Sequence, residues 1–393
     1  MIKSIKDIVI SGKRVFLRVD FNVPIDEKKM ITDDTRIRES IPTIDYLLNN
    51  QVKIIVGSHL GRPEGIFKDE FSLKPVFNRL KEIYGDKIKF VPDVIGIKVD
   101  EEKAKLKNGE ILLLENLRFY KQETDNDEDF SRDLSKNIDI YVNDAFSASH
   151  RAHASIVGIP KFVSELAIGF LMEKEISNLS KAIVSPEKPL VTILGGAKIK
   201  DKIPVLKNLI NFSDSIIIGG AMAYSFLKFK GEEVGKSIVE EDQFGNISKI
   251  LELVRKRGIK FLLPIDHIVA KGIDDNEIIE TKTPIPEGYM GFDIGDETLK
   301  NFSEEIKQGK TIIWNGPMGV FEKDIFSRGT TEIAKAIAFS TAFSIVGGGD
   351  TVSAISKARV AEKISHVSTG GGASLEFLSG IELPGIKVLK EKQ

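Results

Sequence analysis

The stretch Leu190-Val191-Thr192-Ile193-Leu194-Gly195-Gly196-Ala197-Lys198 holds the pattern that decides the fold. A short apolar and β-branched run without alternation reads as a strand buried on both faces. A glycine pair ends it, and helical spacing of apolar residues resumes over 203–210. Similar runs recur at 15–21, 52–57, 111–114, 138–142, 215–218, 260–265, 311–314 and 343–346, with helical periodicity over 73–84, 299–306 and 352–364. Strands alternating with helices predict parallel sheets covered on both sides, a doubly wound, Rossmann-like α/β architecture.

A chain of 393 residues is longer than one hydrophobic core usually grows, so two such domains are expected. Ile168, Leu171, Met172, Ile176, Leu179 and Ile183 follow helical spacing, and Pro186 and Pro189 stop that helix. The expected boundaries are an N-terminal domain over 1–166, an interdomain helix over 167–185 and a C-terminal domain over 186–378.

The 56 basic and 58 acidic residues leave a net charge of -2, which argues against a nucleic-acid binder. With no cysteine, disulfides, thiolate catalysis and cysteine-based metal sites are excluded. The start, Met1-Ile2-Lys3-Ser4-Ile5-Lys6-Asp7, lacks the apolar core of a signal peptide, and no apolar run approaches the roughly 18 residues of a membrane span. A soluble, cytoplasmic protein without a membrane partner is expected.

In open α/β sheets ligands bind at the carboxyl ends of the strands. In the first half those positions carry Asp20, Asn22, His59, Arg62, Arg118, Asn143, Asp144, His150, Arg151 and His153, with Arg36 opening the next helix. The chain has 13 arginines against 43 lysines, yet arginine dominates here. A guanidinium grips carboxylate and phosphate oxygens bidentately, which an ammonium does not. The set predicts a pocket for a small molecule bearing several negative charges.

The second half ends its strands in glycine: Gly195-Gly196-Ala197-Lys198, Gly219-Gly220, Asn315-Gly316-Pro317-Met318-Gly319, Gly347-Gly348-Gly349-Asp350-Thr351 and Gly370-Gly371-Gly372-Ala373-Ser374. Glycine permits close backbone approach to a ligand. Helix starts beyond such loops favour phosphate. Lys198 and Lys202 are placed to reach along a polyphosphate, and Asp350 is a plausible carboxylate for Mg²⁺. Gly231-Glu232-Glu233-Val234-Gly235-Lys236-Ser237 is one residue too short between its glycines for a P-loop, and no dinucleotide fingerprint follows a strand.

Taken in order, these motifs resemble phosphoglycerate kinases over essentially the whole chain. The matching pieces are Arg18-Val19-Asp20-Phe21-Asn22-Val23-Pro24, Ser58-His59-Leu60-Gly61-Arg62-Pro63, Leu114-Glu115-Asn116-Leu117-Arg118-Phe119, His150-Arg151-Ala152-His153, Leu194 to Lys198 with Asp201-Lys202, Trp314 to Glu322, Gly347 to Thr351, and Thr369 to Glu376. Ser147-Ala148-Ser149, Ser379 and His267 depart from the family's usual residues, and none replaces a charged ligand.

The resemblance implies reversible, Mg²⁺-dependent phosphoryl transfer from 1,3-bisphosphoglycerate to ADP, giving 3-phosphoglycerate and ATP, a step of glycolysis. It implies a substrate site on Asp20, Phe21, Asn22, Arg36, His59, Leu60, Gly61, Arg62, Arg118 and Arg151. The nucleotide site would comprise Gly196, Ala197, Lys198, Lys202, Gly219, Gly220, Gly291, Asn315, Pro317, Gly319, Val320, Glu322, Gly348, Gly349, Asp350 and Thr351, with Asp350 on the metal. It further implies a monomer, and a tail (379–393) that returns to the first domain. The acceptor in the reverse direction is an ionised carboxylate, so no general base is needed. Arg36, Lys198 and the backbone N–H groups of Gly349 and Gly372 are expected around the migrating group, in-line, after hinge closure about the interdomain helix.

Overall fold

The computed structural model describes residues 2–275 and 277–392. The chain divides into two compact units, one formed by Met1–Ile176 with Glu382–Gln393 and the other by Ser177–Ile381.

The first unit is built on β1 (Arg14–Arg18), β2 (Lys53–Gly57), β3 (Ile88–Phe90), β4 (Ile111–Leu113), β5 (Ile140–Asn143) and β6 (Glu165–Ile168). They form one sheet in the order β3-β4-β2-β1-β5-β6, every pair parallel. Leu17 pairs with Val56 on one side and Val142 on the other, all three fully buried. That explains the unbroken apolar runs: with helices on both faces, neither side of the strand meets water. The chain leaves β1 toward β2 on one side and reaches β5 and β6 on the other. This makes the carboxyl ends of β1 and β5 a topological switch point. The tail is tied into this unit: Gly385 N–H donates to the Ser149 carbonyl at 2.9 Å, and Lys392 Nζ donates to the Pro160 and Lys161 carbonyls at 2.6 and 2.8 Å.

The second unit repeats the plan with β7 (Leu190–Leu194), β8 (Ser215–Ile218), β9 (Lys260–Leu262), β13 (Thr311–Asn315), β14 (Phe343–Gly347) and β15 (His366–Val367). The order is β15-β14-β13-β7-β8-β9, again all parallel. Its switch point lies between β7 and β13. A separate antiparallel sheet, β11-β10-β12, is formed by β10 (Asp266–Ala270), β11 (Ile279–Lys282) and β12 (Met290–Ile294).

Several expected boundaries shift. Ala167 and Ile168 end β6, and the helix starts only at Phe170 and runs to Val184. Ile168 sits three residues before Leu171, so its helical phase is coincidental; its backbone pairs with Asn143. The helix expected over 352–364 is instead Gly349–Lys357, because Arg359 adopts φ +57°, a left-handed turn that ends it. The run at 260–265 yields only the three residues of β9.

Asp144, just past β5, anchors the Phe170–Val184 helix. It is fully buried and accepts from Met172 N–H at 3.1 Å, while Thr43 Oγ1 accepts from Phe170 N–H at 2.9 Å. Gly169 is required beside it, since a Cβ there would lie 2.3 Å from the carboxyl. Burial pushes the Asp144 carboxyl up to about 7, against the hydrogen bonds from Thr43 and Met172. A carboxyl raised on folding favours the protonated folded state. Its contribution is full below the ordinary carboxylate range and is lost as pH rises through about 7. Asp144→Asn is therefore expected to flatten the pH dependence of unfolding free energy between about 4 and 7 by up to about 1.4 kcal/mol per pH unit. Chemical denaturation across that range checks it; an unchanged slope refutes the assignment.

Candidate active site

In the first unit the loops after β1 and β2 are stitched together. Phe21 N–H donates to Ser58 Oγ at 2.8 Å, and Gly61 N–H to Asn22 Oδ1 at 2.9 Å. Asn116 spans the loop beyond, donating to the Leu60 and Phe71 carbonyls at 2.7 and 2.9 Å. Phe21 and Leu60 are buried. On this frame sit Asp20, Arg36, His59 and Arg118. Arg36 reaches Asp20 Oδ2 at 2.5 Å, and Arg118 donates to the Gly61 carbonyl at 2.8 Å. Arg62, on the loop after β2, and Arg151, on the loop after β5, are exposed.

The charges here are not evenly matched. Burial pushes the Asp20 carboxyl up, but Arg36 and hydrogen bonds from Ser147 and the Asn22 N–H outweigh it, so the carboxyl stays ionised well below the usual range. Burial, reinforced by Arg118, Arg18 and Arg36, holds His59 neutral despite Asp20. Burial with Arg18 and Arg151 draws Arg118 down to about 10, and burial with Arg118 and Arg18 takes His153 down to about 3. Cations crowd one another at low dielectric, and an anion with several charges relieves that.

Three contributors were not among the expected site residues. Arg18 is fully buried at the end of β1 and donates to Ser155 Oγ at 2.8 Å. Glu123 is buried behind it, and Ser147 donates to Asp20. A charged residue closing an apolar strand was the available signal for Arg18. Glu123 lies in the mixed-charge stretch Tyr120 to Asp125, which reads like any surface.

In the second unit the loops after β7 and β13 interlock through backbone alone. Gly195 N–H donates to the Asn315 carbonyl and Gly196 N–H to the Pro317 carbonyl, both at 2.9 Å. A Cβ on Gly316 would fall 2.1 Å from the Gly195 carbonyl, and one on Gly220 would fall 2.5 Å from Gly196 N. These glycines exist because loop meets loop. Gly196, Gly349 and Gly371 differ: open space surrounds the position where a Cβ would stand.

Two adjoining cavities result. The first, about 380 Å³, is lined by Gly195–Lys198, Asp201, Lys202, Asn315–Pro317, Gly348–Thr351 and Gly371–Gly372. The second, about 420 Å³, takes in Gly220, Tyr224, Gly291, Phe292, Pro317–Val320 and Glu322. They share Gly196, Ala197, Pro317 and Asp350. Lys202 donates to Asn315, and burial lowers its ammonium from the usual range against the pull of Asp201 and Asp350. Lys198, Asp350 and Glu322 are exposed. Thr351 is buried, its hydroxyl accepting from Gly316 N–H at 2.7 Å. Gly219 lines neither cavity; its Cβ position is filled by Met318 Sδ at 2.3 Å. Gly291 packs against Tyr224, whose hydroxyl would be 1.7 Å from any Cβ there.

No helix of the described residues is long and apolar enough to cross a membrane. The model of the family described as phosphoglycerate kinase matches residues 5–381. Phosphoglycerate kinases of Koribacter versatilis and Finegoldia magna are 52% and 51% identical to this chain, each pairing covering 99% of both sequences. The structure of phosphoglycerate kinase from Coxiella burnetii superimposes with a TM-score of 0.91 at 37% identity, over 100% of this chain and 99% of that one. With two parallel-sheet units, a cation-rich strand edge on one and glycine-lined cavities on the other, the chain belongs to the phosphoglycerate kinase family of phosphotransferases.

Proposed function

We propose that the chain catalyses reversible phosphoryl transfer between 1,3-bisphosphoglycerate and ADP, giving 3-phosphoglycerate and ATP. The observation that carries this reading is the surplus of positive charge at the first unit's strand ends. Arg36, Arg62, Arg118 and Arg151 carry it, with the neutral His59, Asp20 and Asn22 beside them, a chemistry suited to a small carboxylate-phosphate. The nucleotide occupies the second unit's cavities: phosphates on Gly196, Ala197, Lys198, Lys202 and Gly348–Thr351, the ribose near Glu322, and the base toward Gly291, Gly319 and Val320.

The donor set in the first cavity fits Mg²⁺. Among its lining residues the carboxylates are Asp201 and Asp350, and this ion usually takes one or two carboxylates with the remaining oxygens from phosphate and water. Asp350 would hold it, and when bound it supplies charge neutralisation on the nucleotide phosphates. The residues of the chain do the rest. Lys202 orients the phosphates; Arg36, Lys198 and the N–H groups of Gly349 and Gly372 stabilise charge on the migrating group. In-line transfer after a hinge motion at the helix Phe170–Val184 is part of the proposal. Monomeric action in the cytoplasm completes it.

Arg36→Ala is expected to lower kcat about 100-fold, the scale for losing one preorganised donor, while the dissociation constant for ADP stays within about twofold. Steady-state ATP formation from 1,3-bisphosphoglycerate and ADP, with calorimetric ADP titration, measures both; equal kcat in mutant and parent ends the assignment. Lys202→Ala is expected to weaken ADP binding about tenfold through loss of a charge-assisted contact. An unchanged ADP dissociation constant would remove Lys202 from the nucleotide site.

A further inference from the structure

Behind the cation-rich edge of the first unit lies a chain of buried polar groups. Glu123, on the short helix Lys121–Asp125, is fully buried and accepts from Ser155 twice, from N–H at 2.9 Å and from Oγ at 2.6 Å. Ser155 Oγ in turn accepts from Arg18 Nε at 2.8 Å. A hydroxyl has one hydrogen to give, and here it goes to the carboxylate, leaving a lone pair for the guanidinium. Arg18 continues the line: it donates to the Val19 carbonyl, and its other terminal nitrogen stands 3.2 Å from His59 Nδ1. Glu123, Ser155 and Arg18 have no exposed surface, and His59 has 6%.

A guanidinium only donates, so the contact requires His59 Nδ1 to accept. The ring proton then sits on Nε2, and the ring is a neutral donor. Asp20 does not set this state: its nearest oxygen is 3.8 Å from Nδ1, beyond hydrogen-bond reach. Arg18, Arg36 and Arg118 surround the ring and oppose a second proton.

We propose that Glu123 and Ser155 are positioning residues for the anion site, holding Arg18 against His59 so that the imidazole offers its Nε2–H, and only that hydrogen, to the anionic substrate. The inference rests on the reading of this site as the seat of 3-phosphoglycerate. Glu123 also gives the buried guanidinium a counter-charge one hydroxyl away, at a place where a directly paired carboxylate would compete with the substrate.

The test uses the full chain. The imidazole nitrogen-15 spectrum of the parent at pH 7 is expected to show His59 with a bare Nδ1 and a protonated Nε2. Ser155→Ala is expected to mix the tautomers and raise KM for 3-phosphoglycerate about tenfold, the scale for a lost hydrogen bond to a charged group, with KM for ATP unchanged. Glu123→Ala should do the same, and Glu123→Gln, which keeps one acceptor oxygen for the Ser155 hydroxyl but loses the second acceptor and the counter-charge, should recover only part of the loss. A protonated Nδ1 in the parent overturns the proposal even if no variant folds. So does Ser155→Ala with parental KM and tautomer. If 3-phosphoglycerate leaves the parent's His59 signals unmoved, the anion-site reading itself fails, and the relay's role falls with it.

Discussion

Burying a guanidinium without an equal counter-charge is costly, and the first unit does it with both Arg18 and Arg118. The rest of that unit is arranged around the constraint. The carboxylates within reach are Asp20, engaged by Arg36, and Glu123, held off behind Ser155. His59 and His153 stay neutral because burial, reinforced by the neighbouring guanidiniums, disfavours a further positive charge. The strand ends supply a rigid frame that keeps these groups together, and side chains with no ligand role, Asn116 above all, fix the loops between them. Cationic groups that repel one another are thus held together at one sheet edge.

The second unit is built differently. Its cavities combine charged side chains of both signs, Lys198, Asp201, Lys202, Glu322, Lys323 and Asp350, with much backbone. Lys202 is held by Asn315, and Asn315 is itself fixed by donating to the Gly347 carbonyl at 2.8 Å. The amide then passes orientation from the end of β14 through β13 to the lysine. Backbone N–H groups at the start of Gly349–Lys357 supply partial positive charge without the desolvation cost of a full one.

The parallel strands were legible because a strand covered on both faces is apolar at every position, as in Leu190–Leu194. The antiparallel sheet was not. Asp266 and His267 open β10, and Ile279–Lys282 is largely exposed, so neither run carries the uniform signal. His267, noted as a departure from an apolar run, is fully buried and 3.0 Å from Thr283 Oγ1, a partner the sequence does not announce. Arginine at strand ends was readable as a cluster because lysine is three times commoner in this chain. The carboxylate behind that cluster was not, since burial of Glu123 depends on a serine thirty-two residues away.

The glycines carry a subtler lesson. Read in sequence, each glycine loop promises an approach of backbone to ligand. In the fold they separate by what stands where a Cβ would be. Gly195, Gly220 and Gly316 face other backbone at 2.2, 2.5 and 2.1 Å, so any side chain would pry apart the β7, β8 and β13 loops. Gly196, Gly349 and Gly371 face open space, and two of them, Gly196 and Gly371, have φ of +94° and +53°. A side chain there would be resisted by backbone conformation and by loss of cavity, not by collision. The first group makes the cavity and the second keeps it clear. Neither role is visible in the glycine itself, because both depend on neighbours brought in by the crossover connections of the sheet.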